Sequence, residues 1–363
     1  MPMTTDLPRH DAAALVAFAA TLLEASHVRA DIAADVAAVL VDGDLLGHTT
    51  HGLALLAPYL AEIEKGSMRG DGAPVVVSAR PAAQTWDGGR LPGPWLTLRA
   101  LDAAGAMART QGTGTVVVRR AHHIGCLAAY VKRAADAGLM AFVHCSDPSV
   151  KSVAPFGGVS AVFTPNPLSA GIPTSRDPIL LDISTSITTN GLTGRLHAAG
   201  QKLPHAWVQD AQGNATTDPG VLFADPRGTL LPLGGLDAGH KGYALALLVE
   251  TLTAGLAGFG RADPPEGWGA TVFVQVLDPA AFGGAEAFTR QTDFLVDACH
   301  AATPRPGIER VRLPGENGVA RYREQRANGV QLHPTILPAL APWAKKLGVA
   351  MPEQSKASRQ AGA

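Results

Sequence analysis

From about residue 70 to residue 300 the apolar residues gather in short runs bounded by turn residues: Val75–Val77, Ala83–Trp86, Gly114–Arg119, Ala141–Cys145, Ile179–Ile183 and Thr271–Leu277. Each is short enough for a buried strand and too short for a helix. Between several of them lie stretches of helical periodicity, notably Pro94–Thr110, Leu127–Ala137 and His240–Leu256. Strands alternating with helices predict an α/β or α+β domain over this span.

The flanks read differently. From Asp11 to about Lys65 apolar residues recur at spacings of three and four (Leu15, Phe18, Leu22, Leu23), which predicts helix. A turn is expected at His27–Arg29, with Asp31 as N-cap of a second helix through Val36, Leu40 and Val41. A third helix is expected from about Thr50, carrying Leu53, Leu56 and Tyr59 and stopping near Gly66. Glu286–Ala301 reads as helix, a proline-rich passage follows, and Ala320–Leu347 is helix-like again. The small, polar tail Ser355–Ala363 is expected to be disordered.

Composition narrows the function. Gly 40 and Pro 27 make up about 18% of 363 residues, against roughly 12% in average usage. Such an excess belongs in turns and backbone-lined pockets, because both residues weaken element interiors. Net charge is −1 and no basic stripe appears, so nucleic acid and anionic membrane are poor partners. The most membrane-like stretch, Tyr243–Phe259, is interrupted by Glu250 and falls short of about 20 residues, so it reads as a buried core helix. Three cysteines with no CxxC pair suit a reduced compartment. Met1–Asp11 lacks a basic segment followed by an apolar run, so no signal peptide is expected and the location is expected to be cytoplasmic.

No GxGxxG and no GxxxxGK[ST] occurs, so any dinucleotide is bound without the Rossmann fingerprint. Two histidine pairs stand out: His48 and His51 in Asp44-Leu-Leu-Gly-His-Thr-Thr-His-Gly52, and His122-His123 just after a strand. They have three readings: satisfied histidines, zinc ligands, or a catalytic acid beside a small-molecule pocket. An imidazole titrates near neutrality and suits proton donation to a carbonyl or imine under reduction. Zinc finds no third and fourth ligand at a recognisable spacing, so no metal is expected. Glycine- and proline-rich strings follow at Pro155–Gly158, Thr164–Leu168, Gly239–Tyr243 and Leu313–Asn317, and a hydroxyl-rich strand end at Leu181–Ser186. Strand ends of that kind collect hydroxyls and amides around ligands in α/β sheets.

Taken in order, Asp44…Gly47…Thr50-His51-Gly52, His122-His123-Ile124-Gly125, Pro155…Gly157-Gly158, Pro165-Asn166-Pro167-Leu168, Asp182…Thr185-Ser186, His240-Lys241-Gly242-Tyr243 and Pro314-Gly315-Glu316 span nearly the whole chain. The series resembles the malate/L-lactate/sulfolactate dehydrogenase family, the non-Rossmann NAD(P)-dependent reductases of 2-oxoacids. Diketogulonate, ureidoglycolate and cyclic-imine carboxylate reductases belong to the same group. The resemblance implies a mixed α/β fold. A central cofactor domain (71–301) would carry the mixed sheet, with an N-terminal helical segment (1–70) packed against a C-terminal one (302–350). It implies NAD or NADP as cofactor, a small-molecule substrate and a homodimer or larger assembly.

By the same resemblance His51 matches the proton donor and Thr50 takes the place of the serine that orients it. His123, Gly125 and Cys126 match a cofactor-contacting loop. Asp182, Ile183, Ser184, Thr185 and Ser186 match a segment along the cofactor, and His240, Lys241, Gly315 and Glu316 match others. The departures fall on the substrate side. Leu55 stands where many members carry an arginine suited to a carboxylate, Pro165 replaces a threonine, and Leu192 takes the place of an acid that orients the histidine in some branches. Leucine offers nothing to a carboxylate. The expectation is therefore a reductase or dehydrogenase acting on a keto/hydroxy or cyclic imine/amine compound other than plain malate or lactate. In a nearer variant Arg195, Lys202 or Arg312 holds a carboxylate. The alternatives are a catalytically silent relative serving as a binding or assembly protein, and a zinc hydrolase.

Overall fold

The computed structural model describes residues 8–354, so the expectation for the tail lies outside the described residues. Strand β1 (Arg9–His10) leads into α1 (Ala12–Ala25), whose first turn is capped by Asp11 Oδ1 accepting from the Ala14 N–H at 2.8 Å. The next helix, α2 (Ala30–Leu45), begins ahead of Asp31, which is therefore not the N-cap. Arg29 holds the cap position, and Asp31, inside the first turn, pairs with its guanidinium. The third helix also starts later than its periodicity suggested. A 3₁₀ turn (Leu53–Leu55) precedes α3 (Leu56–Glu64), which leaves Thr50, His51 and Gly52 outside regular structure.

The central sheet has seven strands. They are β2 (Val75–Arg80), β3 (Ala83–Asp87), β4 (Thr113–Ala121), β5 (Met140–Ser146), β6 (Leu168–Ile172), β7 (Ile179–Ile183) and β11 (Ala270–Leu277), in the order β2-β3-β4-β11-β5-β6-β7. Only β3 and β4 run parallel; every other neighbouring pair is antiparallel. A doubly wound Rossmann sheet is all but wholly parallel, so this mixed order agrees with the missing glycine fingerprint. Strand β6 was not foreseen, because Leu-Ser-Ala-Gly-Ile carries little apolar bulk. Its Gly171 permits α5 (Ala128–Asp136) to sit against the sheet, since a Cβ there would fall 2.2 Å from Val131 O.

Helices α4 (Gly93–Gln111) and α5 cover one face, burying Leu96, Leu101 and Tyr130 with Val116, Val118, Val143 and Val274. The same core continues through Leu15, Leu22, Ile32 and Leu40 of α1 and α2. On the other face Val117 and Phe273 meet Leu252 from the π turn (Thr251–Gly255) that extends α7 (Gly235–Glu250), and Ala257 just beyond it. The stretch Tyr243–Phe259 thus covers the sheet, and among the described residues no helix is long and apolar enough to cross a membrane.

A smaller ribbon of β8 (Val208–Gln209), β9 (Ala215–Thr216) and β10 (Thr229–Leu230) has its own core of Val153, Phe163, Leu203, Val208 and Leu230. Between β7 and β8 in the chain lies α6 (Asn190–Ala198), which sequence reasoning missed because Gly191, Thr193, Gly194 and His197 dilute any apolar stripe. Beyond α8 (Ala285–Ala301), the expected C-terminal helix is two helices, α9 (Glu316–Asn328) and α10 (Ile336–Leu347). Gly329, at φ +91°, breaks it so that β12 (Val330–Gln331) pairs antiparallel with β1.

Candidate active site

His51 sits on the irregular turn between α2 and the 3₁₀ segment, and the surroundings of that turn explain the spacing around it. Asp44, in the last turn of α2, is fully buried, and its Oδ2 accepts the Leu53 N–H at 2.7 Å. Gly52 must be glycine, since a Cβ there would lie 2.4 Å from the Asp44 carboxyl. Burial pushes the Asp44 carboxyl up to about 7. From α9, Gln325 Nε2 donates to the backbone oxygens of Asp44 and Leu45 at 3.0 Å each. Within the turn Thr50 Oγ1 meets His51 Nδ1 at 2.8 Å. Desolvation lowers the pKa of His51; Asp182 pulls it up, while His48 and Arg195 press it down.

A second imidazole stands beside it. The His123 ring centroid lies 5.8 Å from that of His51 and 5.0 Å from that of Trp268. His123 Nδ1 accepts the Gly125 N–H at 3.2 Å and lies 2.9 Å from the Tyr59 hydroxyl. An amide N–H only donates, so Nδ1 carries the lone pair and the neutral ring bears its proton on Nε2. Burial, with His51 and His122 adding to it, holds the pKa of His123 well below the ordinary histidine range. Its free Nε2–H is thus a fixed donor. His122, by contrast, is sealed against Tyr59 and Trp268 and reads as a packing residue.

His51 and His123 line one cavity of about 390 Å³. Thr50, Gly125, Cys126, Asp182, Ser184 and Pro165 also line it, as does Leu55. Leu127, Val150, Pro167 and Trp268 add apolar wall. Among the described residues that line it there is no Lys and no Arg. The lining fits the nicotinamide end of a dinucleotide with a small substrate: the volume falls in the usual range for ligand sites, and the walls are apolar with few convergent polar groups.

Of the other residues named from sequence, some brace the cavity wall and some lie outside it. Asp182 Oδ2 accepts the Ala128 N–H at 2.9 Å and the Cys126 thiol at 3.7 Å, closing the start of α5. Thr185, from both N–H and Oγ1, donates to Pro165 O, and Ser186 Oγ donates to Thr188 O, so this buried pair locks the wall. Ile183 is exposed, and Leu192, in the first turn of α6, is exposed while its neighbours Asn190 and Gly191 line the cavity. His240 and Lys241 are exposed on α7 outside the cavity, His240 lying edge-on to Phe156. Gly315, at φ +81°, packs against Leu180 where a Cβ would come within 2.6 Å. Burial raises the carboxyl of Glu316, but the Leu313 N–H, His300 and Arg310 together hold it down at about 2. Neither residue reaches the cavity. Lys202 and Arg312 lie outside it as well, and Arg195 is engaged with Thr49.

Sequence reasoning missed the support beneath Pro165. Asn166, buried at φ +40°, donates from Nδ2 to Glu250 Oε1 at 3.0 Å. The same oxygen takes Ser146 Oγ at 2.8 Å and Arg261 Nε at 2.6 Å. The available signal was Glu250 itself, an acid inside an otherwise apolar helix. One group of side chains, His48, Cys126 and Asp182, brings metal-capable atoms within 4.8 Å of one another. Burial and the neighbouring Asp182 keep the Cys126 thiol protonated, and it already donates to that carboxylate, so the contacts are explained without an ion.

Residues 10–341 match the sequence model of the malate/L-lactate dehydrogenase family. The chain belongs to that family. An L-lactate dehydrogenase of Cupriavidus necator is 35% identical over 91% of this chain and 95% of the relative. A (2R)-3-sulfolactate dehydrogenase (NADP(+)) of Chromohalobacter salexigens is 32% identical over 90% and 95%. The malate dehydrogenase structure from Pyrococcus horikoshii superposes with a TM-score of 0.87 at 26% identity, covering 96% of this chain and 98% of that one. The protein is thus an oxidoreductase of a nicotinamide-dependent dehydrogenase family, and its mixed sheet is the family's fold.

Proposed function

We propose that the protein transfers a hydride between NAD or NADP and the carbon of a small keto/hydroxy or cyclic imine/amine compound, with His51 exchanging the proton at the heteroatom. The observation that carries this reading is the cavity-facing His51, tethered through Nδ1 to Thr50 beside a neutral His123. Bound there, NAD(P)H supplies the hydride. His51 in its imidazolium form donates the Nε2 proton to the oxygen or nitrogen as the carbon is reduced, becoming the neutral imidazole, and in the reverse direction the neutral ring takes the proton back. His123 offers its Nε2–H to the same heteroatom or to a neighbouring acceptor. Trp268, Leu127 and Val150 keep water from the reacting atoms.

The substrate is a compound other than plain malate or lactate. Leu55 and the lack of Lys or Arg among the described lining residues support this, because a carboxylate there meets no bidentate partner. Three free cysteines support a reduced cytoplasmic location, and the family resemblance supports a homodimer or larger assembly. The relatives named above are all dehydrogenases, and none favours a silent binding protein. NADH and NADPH fluorescence titrations test the reading, followed by a screen of neutral and carboxylated ketones and imines. Failure of both cofactors to bind at millimolar concentration overturns it.

A further inference from the structure

The turn that presents His51 is held at both ends. Asp44 Oδ2 fixes its far end at the Leu53 N–H. At the near end Arg195 donates from Nη1 to Thr49 Oγ1 and from Nη2 to Thr49 O, each at 2.9 Å. Two bonds from one planar guanidinium to a side chain and a carbonyl of the same residue fix both its position and its peptide plane, which a lysine cannot do. The next residue is Thr50, whose hydroxyl touches His51 Nδ1. Arg195 is carried by α6, whose Gly191 sits beside Thr50, a Cβ there falling at a contact distance of 3.4 Å from Thr50 Cβ. Helix α6 also carries Leu192, which is exposed and makes no side-chain hydrogen bond to His51.

We propose that Arg195 is the positioning residue for His51: through Thr49 it fixes Thr50 Oγ1 on Nδ1 and keeps Nε2 toward the cavity. The inference rests on the reading of His51 as proton donor. It also removes Arg195 from the candidates for a substrate carboxylate, since the guanidinium is spent on Thr49 and does not line the cavity. Arg195 has an electrostatic consequence as well. With burial and His48 it disfavours the charged imidazolium, against Asp182 from β7. His123, from the loop after β4, is the other titratable ring facing His51.

Histidine-ring NMR of ¹⁵N-histidine-labelled full-length protein, recorded across pH with H51N for assignment, tests this without a substrate. In the wild type His51 holds a single tautomer and titrates below the ordinary histidine value of 6.5. R195M moves the midpoint upward and mixes the tautomers. R195K keeps the charge, so its midpoint stays near wild type while the tautomers mix. The proposal is overturned if R195M leaves midpoint and tautomer unchanged, or if the tautomer is unaltered in R195K. Should R195M fail to fold by circular dichroism, the R195K tautomer decides. NADH and NADPH fluorescence of the wild type is read in parallel: binding of neither cofactor alongside the expected NMR pattern sinks the proton-donor reading and leaves the Arg195 hold standing.

Discussion

Asp44→Asn separates the hydrogen bond that Asp44 makes from the charge it carries. The carboxyl is buried, with one oxygen on the Leu53 N–H and the other, Oδ1, without a partner. Its pKa rises from 3.8 to about 7 on folding. A raised acid pKa means that between these values the folded state binds the proton more tightly than the unfolded chain. Stability therefore falls as pH climbs from about 4 to about 7, a loss of about 4 kcal/mol when complete. Asparagine keeps an oxygen for Leu53 N–H and has no such loss. Its amide NH₂, put where Oδ1 finds no partner, costs about 1–3 kcal/mol at every pH. D44N is thus expected to be less stable than wild type near pH 4.5 and to gain on it by about 3–4 kcal/mol by pH 8. Urea unfolding at half-unit pH steps gives the difference directly. Wild type and D44N curves that run parallel from pH 4.5 to 8 would refute the reasoning, because Asp44 would then not be paying for buried ionisation.

The other expectations follow the same contacts. Gly52→Ala drives a Cβ into the Asp44 carboxyl, so it is expected to cost about 2–4 kcal/mol in urea unfolding and to cut turnover by displacing His51. Glu250→Ala strands Arg261, Asn166 and Ser146 at the half-buried ion pair under the cavity wall, and a loss of about 3–5 kcal/mol is expected in thermal or urea unfolding. Leu55→Arg places a guanidinium on the cavity wall and is expected to improve kcat/KM for carboxylated 2-oxoacids over their neutral esters by about tenfold or more, read as a ratio of steady-state rates.

Much of the fold was legible because burial imposes a period. The strands at 113–121, 140–146, 179–183 and 270–277 each hold a short apolar run at their centre or start (Val116–Val118, Ala141–Val143, Ile179–Leu181, Val272–Val274), and polar residues interrupt or end it. Strand β6 and helix α6 were not legible, since their residues are small or polar and are held by neighbours: Val131 across Gly171, Thr189 capping Leu192. Of the candidate site, His51, Thr50, His123 and Asp182 were visible as motif positions and do meet in one cavity. What sequence alone withheld was the long-range support. Arg195 lies 146 residues from Thr49, and Glu250 lies 84 from Asn166. Side chains that reach so far leave no periodic trace, and each looks like an ordinary charge on an ordinary helix.

His51 is thus proposed to move the proton for a nicotinamide-dependent reduction in a cavity whose described lining residues include no Lys or Arg. Single-turnover oxidation of NADH or NADPH, whichever binds, followed at 340 nm with methyl pyruvate and with pyruvate in wild type and H51N, tests it most directly. The account predicts equal cofactor affinity in the two proteins, faster reaction of wild type with the neutral ester than with pyruvate, and a fall of about 10²–10⁴-fold in H51N. An H51N protein that binds the cofactor and oxidises it at the wild-type rate would contradict it.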